Sequence, residues 1–321
     1  MRVNNLLSNN PLFLVDVGAS GGIHPRWPKL TSSYKAILFE PDPREIQILE
    51  SKRNANLRVL GSALSDSEKT IDFYLCKKQQ VSSVYLPNSD FIKKFPDPER
   101  YNVVDSIKIK ADSLDNQLKK NSIKEIDFIK LDTQGSELSI LCGGINTLRQ
   151  VVGVEVEVEF VELYKTQPLF CQVDSFLTSL GFQLFDLRRV YWRRHEKDDN
   201  YSNKKGQLIC GDALYFKLPE QILSINEINQ EKIIRAIFVY LAYGYPGLSE
   251  DLLNLSGKKI LSNEIFDSIA PVISNSKKRR LKIPDFQGKG RVWKVAHKLA
   301  DIFAPNNHWY CGTDDPSLGN P

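Results

Sequence analysis

The stretch LVDVGASGG (Leu14–Gly22), followed downstream by ILFEPDP (Ile37–Pro43), decides the fold of this chain. In the first stretch a short apolar run ends at Asp16, and in the second a similar run ends at Glu40. After Asp16 comes a turn with three glycines, Gly18, Gly21 and Gly22. Glycine lets a backbone turn tightly and approach a ligand closely. The pattern predicts a strand, a turn into a helix and a second strand, which in open α/β sheets place a nucleoside at the carboxyl ends of the strands.

Two classes of nucleoside cofactor fit this layout. A dinucleotide site has the pattern G-x-G-x-x-G and places a pyrophosphate at the helix N-terminus. Here Asp16 stands just before the turn, where a carboxylate would repel a pyrophosphate but suits a cationic amino-acid cofactor. The spacing acid-x-Gly-x-x-x-Gly, formed by Asp16, Gly18 and Gly22, resembles the first motif of S-adenosylmethionine-dependent methyltransferases. A nicotinamide enzyme and a purely structural strand-to-helix turn remain as alternatives.

The carboxylate of Glu40 stands at the tip of the second predicted strand. In that place a carboxylate accepts hydrogen bonds from the two ribose hydroxyls, and its charge disfavours a ribose phosphate. The residues that we predict to bind the cofactor are Asp16, Gly18, Ser20, Gly22, Glu40, Asp42 and Ala63.

The composition is that of a soluble globular protein. The chain has 321 residues, enough for one large domain with an extension or for two domains. Hydrophobic residues make up 41% and charged residues 26%, which is typical of a chain with a real core. The net charge of +4 is too small to indicate nucleic-acid binding by itself.

Five cysteines are scattered along the chain without a C-x-x-C pair. This pattern predicts reduced thiols in a cytoplasmic protein, and neither a disulfide framework nor a zinc site. The first residues lack the long apolar core of a signal peptide, and no apolar run is long enough to span a bilayer. We therefore expect a cytoplasmic location.

Predicted strands and helices alternate up to about residue 180, and two strands without an intervening helix follow. Such alternation predicts an α/β fold with a parallel sheet. A final pair with one antiparallel strand is the ending of the Rossmann-like seven-stranded methyltransferase sheet. The segment Ser62–Leu75 reads as an added hairpin, Leu86–Asn102 as an exposed loop that serves as a substrate lid, and Ser106–Lys110 as an edge strand.

The chain resembles the FkbM-type methyltransferases. The matching stretches are VDVGASGG, ILFEPDP, SALSDSEKTIDFYL, KADSLD and IDFIKLDTQGSELSILCGG. In the last of these, members of the family usually carry Glu where this chain has Gln134, so an acid–base role at that position is in doubt. The resemblance covers about residues 10 to 218, which divides the chain into a methyltransferase domain (1–218) and a helical C-terminal extension with an irregular tail (219–321).

The resemblance implies transfer of a methyl group from S-adenosylmethionine to an oxygen atom. It further implies a hydroxyl acceptor on a sugar, a glycan or a natural product. An RNA or protein methyltransferase is one alternative, although the modest net charge and the absence of an N/D-P-P-Y-type motif disfavour it. A non-catalytic binding module with a methyltransferase fold is another, and the intact Asp16, Gly18, Gly22 and Glu40 disfavour that one.

A hydroxyl is a poor nucleophile at neutral pH, so a base should remove its proton as the new bond forms. Asp132 follows a strong predicted strand and is the first candidate, as a base or as a partner of the cofactor's amino group. Glu137 falls in the first turn of the next helix, where the helix dipole favours an acid in any case. Capping of that helix is the structural alternative for Asp132.

Two further candidates for catalysis are Glu157 and His24. Glu155, Glu157 and Glu159 share one face of a predicted strand by its period of two, and burying three unpaired carboxylates there would be costly. His24 lies in the loop that follows the glycine turn, where a surface role is the alternative. Clustered carboxylates also suit a divalent metal, but no histidine stands near them, and we predict no metal ligand.

The C-terminal third reads as helical. In the segment RVWKVAHKLADIF (Arg291–Phe303), apolar residues share one face opposite Arg291, Lys294 and Lys298, and the basic run Lys277–Arg280 precedes it. A basic amphipathic helix of this kind lies on anionic membranes. The alternative, which we favour from sequence, is that its apolar stripe docks onto the catalytic domain and its basic side faces water.

Overall fold

The computed structural model describes residues 6–19, 21–52, 54–195, 206–277, 286–303, 311–313 and 318. Its strands are β1 (Leu12–Val17), β2 (Tyr34–Phe39), β3 (Leu57–Leu60), β4 (Ala63–Ser65), β5 (Lys69–Cys76), β6 (Val103–Ser113), β7 (Phe128–Leu131), β8 (Gly153–Glu159), β9 (Gln183–Trp192), β10 (Gln207–Phe216) and β11 (Cys311–Thr313). Its helices are α1 (Arg26–Leu30), α2 (Pro43–Ser51), α3 (Ser89–Ile92), α4 (Leu114–Lys120), α5 (Glu137–Cys142), α6 (Ile145–Gln150), α7 (Phe170–Ser179), α8 (Pro219–Leu223), α9 (Gln230–Ala242), α10 (Pro246–Ile260), α11 (Asn263–Ser276) and α12 (Lys289–Phe303). Two 3₁₀ turns lie at Gln79–Val81 and Pro98–Tyr101.

The main sheet has its strands in the order β11-β9-β10-β8-β7-β1-β2-β3. Strands β3, β2, β1, β7 and β8 run parallel, and β10 pairs antiparallel with both β8 and β9. The predicted Rossmann-like methyltransferase sheet, mostly parallel with one antiparallel strand near its end, is confirmed. The sheet has eight strands, one more than the seven predicted, because Cys311–Thr313 from the C-terminal tail pairs with β9 at the sheet edge.

A second, three-stranded sheet has the order β4-β6-β5. Strand β4 pairs parallel with β6, and β5 pairs antiparallel with it. The prediction of a hairpin at Ser62–Leu75 is therefore wrong, because its two strands flank β6 and do not pair with each other. The prediction of an edge strand at Ser106–Lys110 is wrong for the same reason. Polar residues alternate along β6 because one face of this small sheet is open to solvent.

The sequence predicts one helix from Ser136 to Leu148 after the strand that ends at Asp132, but the structure has two helices, α5 and α6, which meet at Gly143 and Gly144. A Cβ atom on Gly143 would lie 2.1 Å from the carbonyl oxygen of Ser65 in β4. The backbone of this junction therefore approaches the small sheet more closely than any side chain allows.

One face of the main sheet is covered by C-terminal helices. Leu14, Phe128 and Phe216 from the sheet form one buried cluster with Ile237 and Phe238 of α9. Helix α1 is only five residues long, so α9 supplies much of the apolar cover on this face. The division at residue 218 stays a prediction, and residues on its two sides share this core.

An ion-pair cluster links α9 to the start of β7. Asp127, fully buried just before β7, accepts hydrogen bonds from Lys232 Nζ at 2.8 Å and Arg235 Nε at 3.0 Å. It also accepts one from the backbone N–H of Phe13 at 2.9 Å. Although burial acts to raise the pKa of Asp127, the two cations hold it below its ordinary value. Removing one partner of such a cluster leaves an uncompensated buried charge, which costs several kcal/mol.

The predicted lid at Leu86–Asn102 is folded against the protein. It contains α3 and a 3₁₀ turn, and Ile92, Phe95 and Tyr101 are buried in a cluster with Tyr164 and Trp192. The prediction of an exposed loop is therefore wrong. Apolar residues spaced between its polar residues pack inward.

Helix α12 does not dock as the sequence favoured. Val292, Trp293, Val295 and Leu299 are each at least half exposed, so none of the described residues covers this stripe. Within the part of the chain that the structure describes, no helix combines the length and the apolar character needed to cross a bilayer.

Candidate active site

A cavity of about 290 Å³ opens at the carboxyl ends of β1, β2, β7 and β8. Six of the predicted site residues line it: Gly18, Glu40, Asp42, Ala63, Asp132 and Glu157. Together with Glu45, its described wall contains five carboxylates and no Lys or Arg. Such a wall attracts a cationic ligand and disfavours a pyrophosphate.

The glycine turn closes against the end of β7. Gly18 has a φ of 73°, and a Cβ atom there would lie 1.8 Å from the carbonyl oxygen of Asp132. Only glycine fits this contact, so Gly18 brings the two strand ends together. Gly22 also has a positive φ, of 93°, and lies outside the described cavity wall. Ser20, predicted to bind the cofactor, lies outside the described residues.

Glu45, which the sequence analysis missed, ties the glycine turn to its surroundings. Its Oε1 accepts a hydrogen bond from the N–H of Gly21 at 3.0 Å, and its Oε2 accepts one from Gln79 Nε2 at 3.3 Å. In sequence Glu45 is an ordinary acid in the first turn of α2, where the helix dipole alone accounts for it. Its burial depends on contacts with distant segments, which no local pattern reveals.

Glu40 and Asp42 both line the cavity but differ in what their carboxylates already bind. Glu40 is buried and accepts one hydrogen bond, from the N–H of Asp42 at 2.9 Å. Burial raises the pKa of Glu40 to about 7, and neighbouring acids add to the effect. Asp42 caps α2 through the N–H of Arg44 and pairs with the Arg44 guanidinium. Glu40 therefore retains free acceptor capacity, whereas the geometry of Asp42 suits a role in shaping the wall.

Asp16 is 5% exposed and lies beside the cavity, one residue before Val17 in its wall. Its Oδ1 accepts no hydrogen bond, and Lys130 Nζ lies 3.8 Å away. Burial raises the pKa of Asp16 to about 7 despite Lys130. A buried acceptor without a donor is costly, so a donor from a ligand would stabilise it.

Asp132 and Glu157 are joined by Gln134. Nε2 of Gln134 lies 3.2 Å from Asp132 Oδ1 and 2.5 Å from Glu157 Oε2, and its Oε1 accepts a hydrogen bond from Tyr164 Oη at 2.9 Å. Gln134 itself has a φ of 59°, and Ser83 Oγ donates to its carbonyl at 2.7 Å. This network fixes the side-chain amide between the two acids.

The two linked acids have opposite pKa shifts. Burial, together with Asp132 and other nearby acids, raises the pKa of Glu157 well above its ordinary value. Burial also acts to raise the pKa of Asp132, but the Lys130 ammonium at 3.4 Å and hydrogen bonds from Glu157 and Gln134 lower it overall. Glu157 therefore keeps its proton to a higher pH than Asp132 does, as expected when like charges share a site.

Glu137 lies outside the described cavity wall and holds the loop before α5. Its Oε1 accepts from the N–H and Oγ1 of Thr133 at 2.7 and 2.9 Å, and its Oε2 accepts from the N–H of Gly135 at 2.9 Å. Burial raises the pKa of Glu137 to about 6 in spite of these bonds. The arrangement suits a positioning residue that shapes the segment between Asp132 and α5.

His24 lies near the positively charged side chains of Arg26, Lys130 and Arg188. Its Nδ1 accepts hydrogen bonds from the N–H and Nε of Arg26 at 3.2 and 3.1 Å. Burial and the nearby cations Arg26, Lys130 and Arg188 lower the pKa of His24 to about 4. The imidazole is therefore neutral, with its Nδ1 lone pair already engaged, which leaves it a weak base.

Charged side chains also lie at neighbouring positions of β8, β10 and β9. Glu157 of β8 pairs in register with Asp212 of β10, and Asp212 pairs with Arg188 of β9. Arg188 Nε donates a hydrogen bond to Asp212 at 2.8 Å. Glu155 accepts a hydrogen bond from Tyr243 Oη at 2.6 Å. As predicted from the period of two, the β8 glutamates share a face, because Val154, Val156 and Val158 pack into the opposite core. In the described residues no cluster of three His, Cys, Asp or Glu side chains has metal-binding geometry.

Comparisons with known proteins identify relatives. The profile described as "Methyltransferase FkbM domain" matches residues 16–184, more than half of the chain. The 2-O-methyltransferase NoeI of Sinorhizobium fredii is 25% identical over 180 residues, which cover 52% of this chain and 71% of that protein.

Solved structures to which the chain is similar include two methyltransferases. Magnesium protoporphyrin IX methyltransferase (ChlM) of Synechocystis PCC 6803 with bound SAM has a TM-score of 0.34 and 6% identity, covering 67% of this chain and 76% of that one. N-methyltransferase NodS of Bradyrhizobium japonicum WM9, in complex with S-adenosyl-L-homocysteine, has a TM-score of 0.33 and 9% identity, covering 67% and 83%.

The residues at the cavity fit S-adenosylmethionine. Its sulfonium and ammonium groups are cationic, and the described wall offers carboxylates without competing Lys or Arg. Glu40 has free acceptor capacity for ribose hydroxyls, and the unpaired Oδ1 of Asp16 lies beside the wall. The chain belongs to the FkbM methyltransferase family, and it is an enzyme that uses S-adenosylmethionine as its methyl donor.

Proposed function

We propose that the hydroxyl methylated by this enzyme belongs to a sugar, a glycan or a related natural product, and that Asp132 accepts its proton. One observation carries the proposal: Gln134 links Asp132 and Glu157 in the wall of the acidic cavity, beside the charged side chains of Lys130 and Asp212. A hydroxyl held next to this link would lie between the methyl donor and a base. The relative NoeI, a 2-O-methyltransferase by name, supports an oxygen acceptor.

The protonation states favour Asp132 over its neighbours as the base. The pKa of Glu157 is raised, so this carboxyl group holds its proton more tightly than Asp132 does, and Nδ1 of His24 is occupied by Arg26. Asp132 is ionised, and its side chain is 37% exposed, so an acceptor hydroxyl has access to it. S-adenosylmethionine supplies an electrophilic methyl group on a sulfonium. Aligning the hydroxyl with that methyl is mainly a matter of proximity and orientation, and proton removal by Asp132 assists bond formation.

The charged side chains beside Asp132 and Glu157 fit a hydroxyl-rich acceptor. Arg188, Lys130 and Asp212 present charged donors and acceptors that are only partly exposed. Sugars are bound by such mixed sets, because each hydroxyl both donates and accepts a hydrogen bond. These residues pair acid with base, whereas a nucleic acid would need an excess of base.

The test is methyl transfer from S-adenosylmethionine labelled in its methyl group to a panel of mono- and oligosaccharides. RNA, a protein mixture and a carboxylic acid serve as competing acceptors. We expect label in a sugar product as a methyl ether, which resists mild alkali, whereas a methyl ester is hydrolysed by it. Transfer to RNA or protein with none to sugars would overturn the proposal, as would an alkali-labile product.

Binding of the methyl donor is measured separately by calorimetry, with NAD as the control. Binding of S-adenosylmethionine without transfer to any hydroxyl compound would contradict the proposed acceptor class. It would leave the assignment of the cofactor intact.

A further inference from the structure

Helix α12 exposes an apolar stripe to solvent. Val292, Val295, Ala296 and Leu299 recur at spacings of three and four, so they lie on one side of the helix. Val292 and Val295 are each 59% exposed, and Leu299 is 50% exposed. Trp293, at the margin of the stripe, is 63% exposed. Exposed large hydrophobic side chains that are contiguous mark an interaction site.

The opposite side of the same helix is cationic. Arg291, Lys294 and Lys298 also recur at spacings of three and four, and Lys289 begins the helix. Arg291, Lys294 and Lys298 are exposed, and Lys289 is partly exposed. The helix therefore combines an apolar half and a basic half, with Trp293 near the boundary, stacked on His297 at a ring-centroid distance of 5.0 Å.

Positive charge is concentrated in this part of the chain. Residues 277–298 contain nine Lys or Arg and one acidic residue, a net charge of +8. Because the whole chain carries +4, the rest of it carries −4. The segment is thus a basic element attached to an acidic enzyme.

We propose that α12 is a membrane-surface helix that binds this enzyme to bilayers containing anionic lipids. Its apolar stripe enters the boundary between headgroups and acyl chains, and its basic side remains among the headgroups. Lys and Arg near such a surface are attracted to anionic lipids, and Trp is favoured at the interface because its ring is apolar and its N–H is polar. This inference is independent of the acceptor proposed above.

Charge complementarity and the apolar stripe together distinguish a membrane from other partners. RNA would engage Arg291, Lys294 and Lys298 but leave Val292, Val295 and Leu299 in water. A groove on another protein would accept the apolar stripe but gives no reason for +8 in 22 residues. An anionic bilayer uses both sides of the helix at once.

The experiment is vesicle flotation with the full-length protein. One set of vesicles is pure phosphatidylcholine, and the other is an equimolar mixture of phosphatidylcholine and phosphatidylglycerol. We expect at least about tenfold tighter binding to the anionic set, weakened by added salt, because several basic residues contribute. Trp293 fluorescence should shift to the blue on binding, and a Trp293→Phe variant should lose that shift while still floating.

Two pairs of substitutions separate the contributions. The double variant Val292→Asp/Leu299→Asp should abolish flotation, and Lys294→Glu/Lys298→Glu should weaken it at least about tenfold. Matched controls on the exposed part of β6, Val104→Asp and Lys108→Glu, should float like the unchanged protein. Circular dichroism and binding of S-adenosylmethionine verify that each variant is folded.

Three outcomes would overturn the proposal. They are absence of binding to either vesicle, equal binding to neutral and anionic vesicles, and unchanged flotation of Val292→Asp/Leu299→Asp. Binding of single-stranded RNA that survives this double variant, with no vesicle binding, would assign the basic side to nucleic acid instead. Methyl transfer to a soluble acceptor is a separate readout, so failure here does not count against the proposed function.

Discussion

Acids at the carboxyl ends of β1 and β2 differ in their partners from Asp132, which follows β7, and from Asp212, which lies within β10. Glu40 faces a described wall without Lys or Arg, and Oδ1 of Asp16 accepts no hydrogen bond. By contrast, Asp132 lies 3.4 Å from Lys130 Nζ, and Asp212 pairs with Arg188. The first group has raised pKa values that a cationic or hydroxyl-bearing ligand would lower. The second group is paired within the protein, which keeps Asp132 ionised and ready to accept a proton.

Asp132→Asn tests the paired region most severely. An amide cannot accept the hydroxyl proton, so we expect kcat to fall by about 10²- to 10⁴-fold, with little change in the Kd of S-adenosylmethionine. Acceptor kinetics and calorimetry on the same preparation measure the two effects. Asp72→Asn, in the exposed Asp72–Lys108 pair, is the control. A large rise in Kd with kcat almost unchanged would move Asp132 from the base to the cofactor's amino group and break the contrast.

Glu40→Gln tests the unpaired region. The substitution keeps the size of the side chain but removes the charge and one acceptor, so we expect the Kd of S-adenosylmethionine to rise about tenfold to a hundredfold. Glu50→Gln, in the exposed part of α2, is the matched control. An unchanged Kd would mean that Glu40 does not contact the ribose.

The pH dependence of binding sharpens the same test. The free protein holds the pKa of Glu40 at about 7, and ligand donors prefer its ionised form. Affinity should therefore increase as the pH rises through about 7, and Glu40→Gln should remove part of that slope. Calorimetry at several pH values compares the two proteins. Parallel slopes would show that Glu40 does not titrate on binding.

Gln134→Glu changes the link between Asp132 and Glu157. Glutamate is the residue usual in the family, but here it would replace an amide that donates to both acids. A third carboxyl group raises the cost of ionising Asp132, so we expect kcat at neutral pH to fall about tenfold and the pH–rate profile to move to higher pH. Gln134→Ala separates loss of the donor from added charge. A profile that stays in place would show that Gln134 only fills space.

Parallel strands explain how much of the site was predictable from the sequence. The carboxyl ends of β1, β2, β7 and β8 meet at one edge of the sheet, so the sequence alone predicts that Glu40, Asp132 and Glu157 lie near one another. Glu45 and Gln79 were not, because the segments that bring them to the glycine turn are distant in sequence. Periodicity shows which face of an element is apolar, but it does not show what that face packs against.

Two misjudged surfaces illustrate that limit. The segment Leu86–Asn102 looked polar enough for a lid, yet Ile92 and Phe95 are spaced to share one side and are buried. In α12 the same kind of spacing suggested docking onto the enzyme, yet Val292 and Leu299 are exposed. In α12 the spacing correctly predicts which side is apolar, but the prediction that this side docks onto the catalytic domain is wrong. Docking requires a complementary apolar surface that no other element covers. Helix α9 already packs against one face of the main sheet.

Asp16→Asn has the smallest expected effect and probes the cost of leaving an acid unpaired. Burial raises the pKa of Asp16 from 3.8 to about 7, so its ionisation destabilises the folded state. Below the unfolded pKa both states are protonated and there is no cost; stability is lost as the pH rises from about 4 to about 7. Asn cannot ionise, so at pH 8 the variant should be more stable than the unchanged protein, and at pH 4 the two should be about equally stable. Lys130 keeps Asp132 as a partner in the variant.

Denaturant unfolding at the two pH values measures the difference, and calorimetry follows the Kd of S-adenosylmethionine. We expect the stabilised variant to bind the methyl donor more weakly, because the acceptor left free in the protein is the one that the ligand would use. Asp132→Asn is the comparison from the paired region. Lys130 holds the pKa of Asp132 below its ordinary value, so the ionised form stabilises the fold and the substitution should destabilise the protein at pH 8. Equal effects of the two substitutions on stability would erase the distinction between unpaired and paired acids at this edge of the sheet.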